Sequence, residues 1–468
     1  MGKKKGSSSP LSRIAFKAFC DQLNQAVRSQ NASASFACGG TIPIKGTEAA
    51  KLTSGTEKAT KGKPGSASSP VNIFWDCKDG SRGGKLTLPL DGSKDDSNAK
   101  LCGFVADCEP AGFGRGQEAV MDPTYRKAGK LDTDHFMTSF HPADFGIIGN
   151  VEQVLCTNWS CRRIRLELYK LNVYSGPSGL FQSHVDTPRS KCQIGSLVVC
   201  LPSPFKGGNL IVRHEGREID FDWEQRSADT IQWAAFYSDC EHEIKTITEG
   251  ERITVTYNLY VTDEPMNTLP PSGPIFDPKT LPLYQDFKNV LQIPGFLKTG
   301  GTLGSFCTHA YPHTADDAYT LLPRGLKGAD LVLYSVLKAF GIKVKVLPVI
   351  IQKDFSPNNS DSDDEYYEYA RLDGKVYIGS YLTPRFSANN FEDDPLSKVL
   401  DEYWPEQTFE KPITWITHPS PCTSQEAMSY LAYGNEPSVH EVYSYAAIVA
   451  IIPPWTERQE IVQQARNN

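Results

Sequence analysis

Ile164-Arg165-Leu166-Glu167-Leu168-Tyr169-Lys170-Leu171-Asn172-Val173-Tyr174 is rich in β-branched and aromatic residues and runs into Ser175-Gly176-Pro177, a turn sequence. Four more runs of this kind follow, at residues 194–201, 209–214, 230–237 and 252–261. Lys206-Gly207-Gly208 and Glu249-Gly250-Glu251 supply turns among them. Five strands at such spacing predict a barrel or jelly roll. Upstream, residues 35–44, 71–76 and 85–90 read as further strands, and the loop at 45–70 is rich in Gly, Ser, Thr and Lys. Leu11, Ile14, Ala15, Ala18, Phe19, Leu23, Ala26 and Val27 recur at three- and four-residue steps, the spacing of a packing helix over 11–30.

Seven prolines between residues 263 and 295 mark a connection, and a second region follows. There a helix is expected at 328–340, a strand at 343–351, and a strand or helix at 445–452. Three parts are thus predicted: a basic, flexible N-terminus with supporting helix and strand (1–70), a barrel (71–262), and an accessory α+β region (263–468). The fold class expected is α+β with a mainly β core.

The chain has 468 residues, 39% hydrophobic and 22% charged, enough for packed cores. Its net charge of −7 disfavours a chain-wide nucleic-acid role. No run of eighteen apolar residues exists, so no membrane span is expected. The start, Met1-Gly2-Lys3-Lys4-Lys5-Gly6, lacks a signal peptide's apolar core and puts Gly6 where a myristoylation signal needs Ser or Thr. Twelve cysteines without a CxxC pair suggest reduced thiols, in the cytosol or nucleus.

The sharpest chemical signal is His184-Val185-Asp186. Residues two apart in a strand point to one face, so an imidazole and a carboxylate can grip one metal ion. Mixed nitrogen and oxygen ligation suits non-haem Fe(II), whose facial triad needs a second histidine. His242 lies downstream, at the end of the 230–237 run. Ten residues past His242 comes Arg252, with Thr254 on the same strand face: a guanidinium fork beside a hydroxyl, suited to a carboxylate. A hairpin from the His242 strand to the Arg252 strand would set this clamp near the metal.

Tyr174, His184-x-Asp186, His242, Arg252 and Thr254 together resemble the motif series of the 2-oxoglutarate/Fe(II)-dependent dioxygenases, in the prolyl-4-hydroxylase-like branch. Gly207-Gly208-Asn209-Leu210 resembles that family's Gly-Gly-Glu-Thr stretch, with Asn209 where Glu is usual, and Tyr257 stands near a common aromatic position. The resemblance covers about residues 160–262, roughly a quarter of the chain. Phe113-Gly114-Arg115-Gly116, Tyr125-Arg126-Lys127, Phe140-His141-Pro142, Tyr433-Gly434-Asn435-Glu436 and Tyr445-Ala446-Ala447-Ile448-Val449 resemble segments of large fungal proteins with this domain, and carry no chemical role.

The resemblance implies a double-stranded β-helix with Fe(II) on His184, Asp186 and His242. It implies 2-oxoglutarate chelating the metal, its C5 carboxylate on Arg252 and on Thr254 or Tyr174, and O2 as oxidant, with ascorbate use left open. The activity implied is hydroxylation of a protein side chain or a small molecule, releasing succinate and CO2. A non-catalytic sensor or scaffold on the same fold is the alternative.

Each residue has an ordinary reading when taken singly: a surface ion pair for Arg252, packing for Tyr174, solvent for Arg189. Asn172 shares Tyr174's face and could meet the site. A rival cluster, His309-Ala310-Tyr311-Pro312-His313 with Asp316 and Asp317, has a proline inside the would-be helix and reads as a loop. The acidic stretch 361–365 lacks EF-hand spacing and reads as solvated surface.

Overall fold

The structure is a computed structural model, and it describes residues 13–47, 67–80, 83–91, 95–115, 118–156, 162–186, 190, 192–263, 277–311, 322–323, 325–352, 375–378, 413–420, 423–432, 438–458. Arg189, Pro312, His313, Asp316, Asp317, the 361–365 stretch and Tyr433 to Glu436 lie outside them. The chain divides into two compact units: Ser35–Pro274, and Met1–Ala34 with Ile275–Asn468.

The first unit is mainly β. Its strands in chain order begin with β1 (Ala37–Pro43), β2 (Val71–Trp75), β3 (Gly84–Leu88), β4 (Glu109–Pro110), β5 (Phe113–Arg115) and β6 (Glu118–Val120). Next come β7 (Arg126–Lys127), β8 (Gly129–Asp132), β9 (Phe136–Thr138), β10 (Arg162–Ser175), β11 (Leu180–His184) and β12 (Gln193–Cys200). The last are β13 (Phe205–Gly207), β14 (Leu210–His214), β15 (Arg217–Phe221), β16 (Thr230–Tyr237), β17 (Glu241–Ile244) and β18 (Ile247–Asp263).

An eight-stranded sheet runs β1-β16-β12-β18-β10-β8-β4, with β13 paired to β18. A five-stranded sheet runs β15-β14-β17-β11-β7. The pairings in both sheets are antiparallel. One hydrophobic core joins them, with Leu197, Ile231 and Trp233 from the first sheet and Phe181, Leu210, Val212 and Ile244 from the second. All eight residues of β16 are buried, as suits a strand flanked by β1 and β12 and covered on both faces. A helix at Ile147–Leu155 places Ile147, Val151 and Leu155 on one buried face, four residues apart, and its last carbonyl accepts from Tyr237 Oη at 2.5 Å.

The second unit is α+β. Three helices, Arg13–Ser33, Pro282–Leu291 and Gly328–Ala339, share a core with the strands β19 (Gly301–Phe306), β20 (Lys343–Gln352) and β24 (Ser438–Ile452). The short strands β21 (Lys375–Ile378), β22 (Ile413–Trp415) and β23 (Gln425–Ala432) complete its six-stranded sheet, in which β19 and β22 pair in parallel. Among the described residues, no helix is long and apolar enough to cross a membrane.

Three expectations change. The N-terminal helix, read as support for the barrel, buries Cys20, Leu23, Ala26 and Val27 against Leu283, Tyr284 and Phe287 of the second unit instead. The proline-rich connection contains a helix, because Pro282 stands at its first turn, where no intrahelical N–H is needed. Glu249-Gly250-Glu251 is not a turn: it lies inside β18, where Gly250 takes φ +76° and the strand passes close to Pro204. The ten described cysteines form no disulfide among themselves.

A methyl group at Gly250 would meet the Pro204 carbonyl oxygen at 2.2 Å in a left-handed backbone. Gly250→Ala is therefore expected to lower unfolding free energy by about 1–3 kcal/mol in urea titration. An unchanged midpoint and slope would contradict this packing.

Candidate metal centre

His184 and His242 are direct cross-strand partners on β11 and β17, so their side chains leave the same face of the second sheet. Their ring centroids lie 4.2 Å apart. Asp186 follows β11 by two residues, and one Oδ lies 3.8 Å from His242 Nε2. Ligand atoms of His184, Asp186 and His242 all fall within 4.8 Å of one another, so the three could hold one metal ion.

Outer contacts orient each of them. His184 Nδ1 lies 2.8 Å from the Gln182 carbonyl oxygen, and His242 Nδ1 lies 3.1 Å from that of Cys240. A carbonyl can only accept, so Nδ1 carries the proton in each ring and Nε2 keeps its lone pair for a metal. Ser196, on β12 of the facing sheet, donates its hydroxyl to Asp186 Oδ2 at 2.6 Å. That bond leaves Oδ1 as the oxygen turned toward His242. Phe181 stacks on His184 with centroids 3.6 Å apart, and Phe236 packs against His242 at 4.6 Å.

Electrostatics favour ligation. Burial pushes the His184 imidazole down to about 3, helped by neighbouring His242 and against the Gln182 carbonyl and Asp186, so the ring stays neutral. For Asp186, burial pushes upward, yet His242, the Ser196 hydroxyl and His184 together hold the carboxyl below its ordinary value. A neutral imidazole and an ionised carboxylate are the ligating forms.

Arg252 and Tyr174 are direct partners on β18 and β10. Arg252 is 0% exposed, and its Nε, Nη1 and Nη2 are all buried without a hydrogen-bond partner among the described residues. Burial depresses its pKa, and only Cys200 and Tyr174 oppose that. Its guanidinium carbon sits 5.1 Å from the Trp223 ring and 5.6 Å from the Tyr174 ring. Thr254, also buried, pairs with Asn172 on β10 and with Cys200 on β12, one same-face step from Arg252. Its hydroxyl makes a long 3.5 Å bond to the Asn172 carbonyl.

One geometric expectation is corrected. No hairpin pairs the His242 strand with the Arg252 strand: β17 belongs to the five-stranded sheet and β18 to the eight-stranded one. Lys245 and Thr246 carry the chain from one sheet to the other. The clamp and the triad are therefore rooted in different sheets. Asn209 donates through Nδ2 to the Asp220 carboxylate. Tyr257 occupies the opposite face of β18 from Thr254, by strand alternation.

Ser196, Trp223 and Arg126 escaped the sequence reading. Ser196 lies in one of the expected strands, but its contact crosses between sheets and leaves no local signature. Trp223 precedes a short 3-10 turn, Glu224–Arg226, outside any expected element. Arg126 lies in Tyr125-Arg126-Lys127, a segment whose resemblance carries no chemical role.

No family model and no curated protein matches the chain. Among solved structures, it is similar to an oxidoreductase of the 2OG-Fe(II) oxygenase family from Burkholderia pseudomallei, at 16% identity over 36% of this chain and 80% of that one, with a TM-score of 0.23. It is similar to a prolyl hydroxylase from Trichoplax adhaerens, solved with a hypoxia inducible factor peptide fragment, at 12% identity over 53% of this chain and 94% of that one, with a TM-score of 0.26. A cupin protein from Bacteroides fragilis matches at 10% identity over 26% of this chain and 92% of that one, with a TM-score of 0.14. At these scores the likeness carries no weight of its own, and the chemistry rests on the side chains.

Ser196→Ala removes the bond that fixes Asp186. It is expected to weaken divalent metal binding by about 10- to 100-fold, read by cobalt(II) absorption titration, with Ser196→Thr retaining most of the affinity.

Proposed function

We propose that this protein is an Fe(II)- and 2-oxoglutarate-dependent oxygenase whose first unit is a double-stranded β-helix. Its two antiparallel sheets with a common core are the architecture that reading requires. His184, Asp186 and His242 hold the iron, and three ligands leave room for cosubstrate and oxygen.

The observation that carries the proposal is Arg252. A fully buried guanidinium with no partner on any nitrogen costs several kcal/mol unless an anion completes it, on the order expected for an unpaired buried ion. A carboxylate is the planar acceptor that matches its fork. The C5 carboxylate of 2-oxoglutarate supplies that acceptor, and Thr254 and Tyr174 stand close enough on β18 and β10 to assist.

Iron and 2-oxoglutarate together supply oxygen activation: the cosubstrate is oxidised to succinate and CO2, and the second oxygen atom enters a substrate C–H bond as hydroxyl. The chain's own share is positional. Ser196 and the Gln182 and Cys240 carbonyls aim the ligands; Arg252 fixes the far end of the cosubstrate; Phe181, Phe236 and Trp223 keep the surroundings apolar. The substrate class we favour is a protein side chain or a small molecule, as in prolyl-4-hydroxylase-like enzymes. Ligands for this chemistry all come from the first unit, so we assign the second an accessory role.

Succinate formation with Fe(II) and 2-oxoglutarate tests the proposal. Wild type is expected to release succinate even without prime substrate, by slow uncoupled turnover, and His184→Ala to release none. Tight 2-oxoglutarate binding with no turnover would point instead to a sensor. Arg252→Ala is expected to weaken 2-oxoglutarate binding by about 10- to 100-fold, the worth of a charge-assisted bond, with iron affinity within about twofold of wild type. An unchanged 2-oxoglutarate affinity would remove Arg252 from the site.

A further inference from the structure

A second guanidinium is buried beside the triad. Arg126, on β7 of the five-stranded sheet, is 9% exposed. Its Nη1 donates to the Gly112 carbonyl and its Nη2 to Asn172 Oδ1, both at 2.8 Å. Its guanidinium lies 4.3 Å from the Phe181 ring centroid, and Phe181 is the ring that stacks on His184. Both acceptors are neutral. No described carboxylate forms an ion pair with Arg126, and its buried Nε has no hydrogen-bond partner.

Its position relative to Arg252 follows from register. Asn172, which Arg126 touches, faces Thr254, and the next same-face residue, Tyr174, faces Arg252. Same-face neighbours on a strand are separated by about 7 Å. Two guanidinium groups without an ion-pair contact among the described residues, one from each sheet, thus flank the row of Asn172 and Thr254, and Asp186 feels the charge of Arg126. Arg126 stands at the metal end and Arg252 at the far end. The carboxylate of Asp186 is already engaged by Ser196. A single carboxylate between two buried cations leaves a positive surplus, and burial makes that surplus costly unless a ligand offsets it.

We infer that Arg126 is a second carboxylate receptor, so that the site holds an aliphatic diacid with one guanidinium at each end. The inference rests on the cosubstrate reading above and assigns Arg126 to the carboxylate nearer the metal. Its Nε, buried without a partner, is the donor we assign to that carboxylate, while the two Nη bonds lock the guanidinium between the sheets.

The test uses metal-free full-length protein, which removes chelation from the affinity, and calorimetric titration with glutarate and butyrate. These two chains differ by the second carboxylate. Glutarate is expected to bind wild type at least about tenfold more tightly than butyrate. Arg126→Gln should bring the two affinities together, and Arg126→Lys, which keeps the charge, should preserve most of the gap. Arg252→Gln should weaken both ligands. Equal binding of glutarate and butyrate to wild type overturns the inference, and so does a gap that survives in Arg126→Gln. The wild-type comparison decides even if the glutamine variant fails to fold. Binding of both ligands through Arg252 without a gap would defeat the role of Arg126 alone. No binding of either, joined with no 2-oxoglutarate binding to the cobalt-loaded protein, would defeat the cosubstrate reading itself.

Discussion

A guanidinium buried to 0% exposure with every nitrogen unsatisfied is the constraint around which the first unit is organised. Folding alone gives no reason to put Arg252 there: a leucine would fill the volume without the desolvation penalty. The surroundings make the position more demanding, since Trp223 and Tyr174 offer ring faces but no carboxylate. Ring faces stabilise a cation by about 1–2 kcal/mol, well short of the cost of dehydrating it. The carboxylate of the proposed cosubstrate would supply the remainder.

Two sheets are needed to make use of that cation. The first contributes Arg252, Thr254, Tyr174 and Ser196; the second contributes His184, His242 and Arg126. Lys245 and Thr246 span the step between β17 and β18, so a single short crossing fixes one ligand strand relative to the clamp strand. Contacts across the gap, Ser196 to Asp186 and Arg126 to Asn172, then set the spacing. Ligand aim is also local: each histidine is held by the carbonyl two residues before it, a bond that the strand's own geometry provides.

Much of this was legible in the sequence because strand period is local. The β-rich runs at 164–174, 194–201, 209–214, 230–237 and 252–261 overlap the observed strands, and period two within β18 sets Arg252 and Thr254 on one face and Tyr257 on the other. The convergence of His184, Asp186 and His242 was legible through motif spacing. Sheet membership was not. Glu249-Gly250-Glu251 reads as a turn, and only the pairing of Phe205 with Gly250 reveals a strand bent at that glycine. The same non-local logic hid Ser196 and Arg126, whose partners lie in the other sheet. It also hid the allegiance of the N-terminal helix, since an apolar stripe states that a helix packs and not against what.

Buried polar groups in the second unit show why orphaned nitrogens, and not burial itself, point to function. Asp330, at the first turn of the Gly328–Ala339 helix, is 3% exposed, more deeply buried than any residue of the triad, and lies near His309, in the cluster that rivalled the triad in sequence. Burial raises its pKa against opposing hydrogen bonds. Yet its carboxylate accepts from the Thr308 and His309 backbone N–H groups, the Thr308 hydroxyl and the Tyr311 hydroxyl. Every lone pair has a donor, so the group is explained by the loop it ties to the helix and asks for no ligand. Arg252 has the same burial and the opposite inventory: three donor nitrogens carrying five N–H groups, and no acceptor among the described residues. The contrast separates a carboxylate that completes a fold from a guanidinium that the fold leaves incomplete.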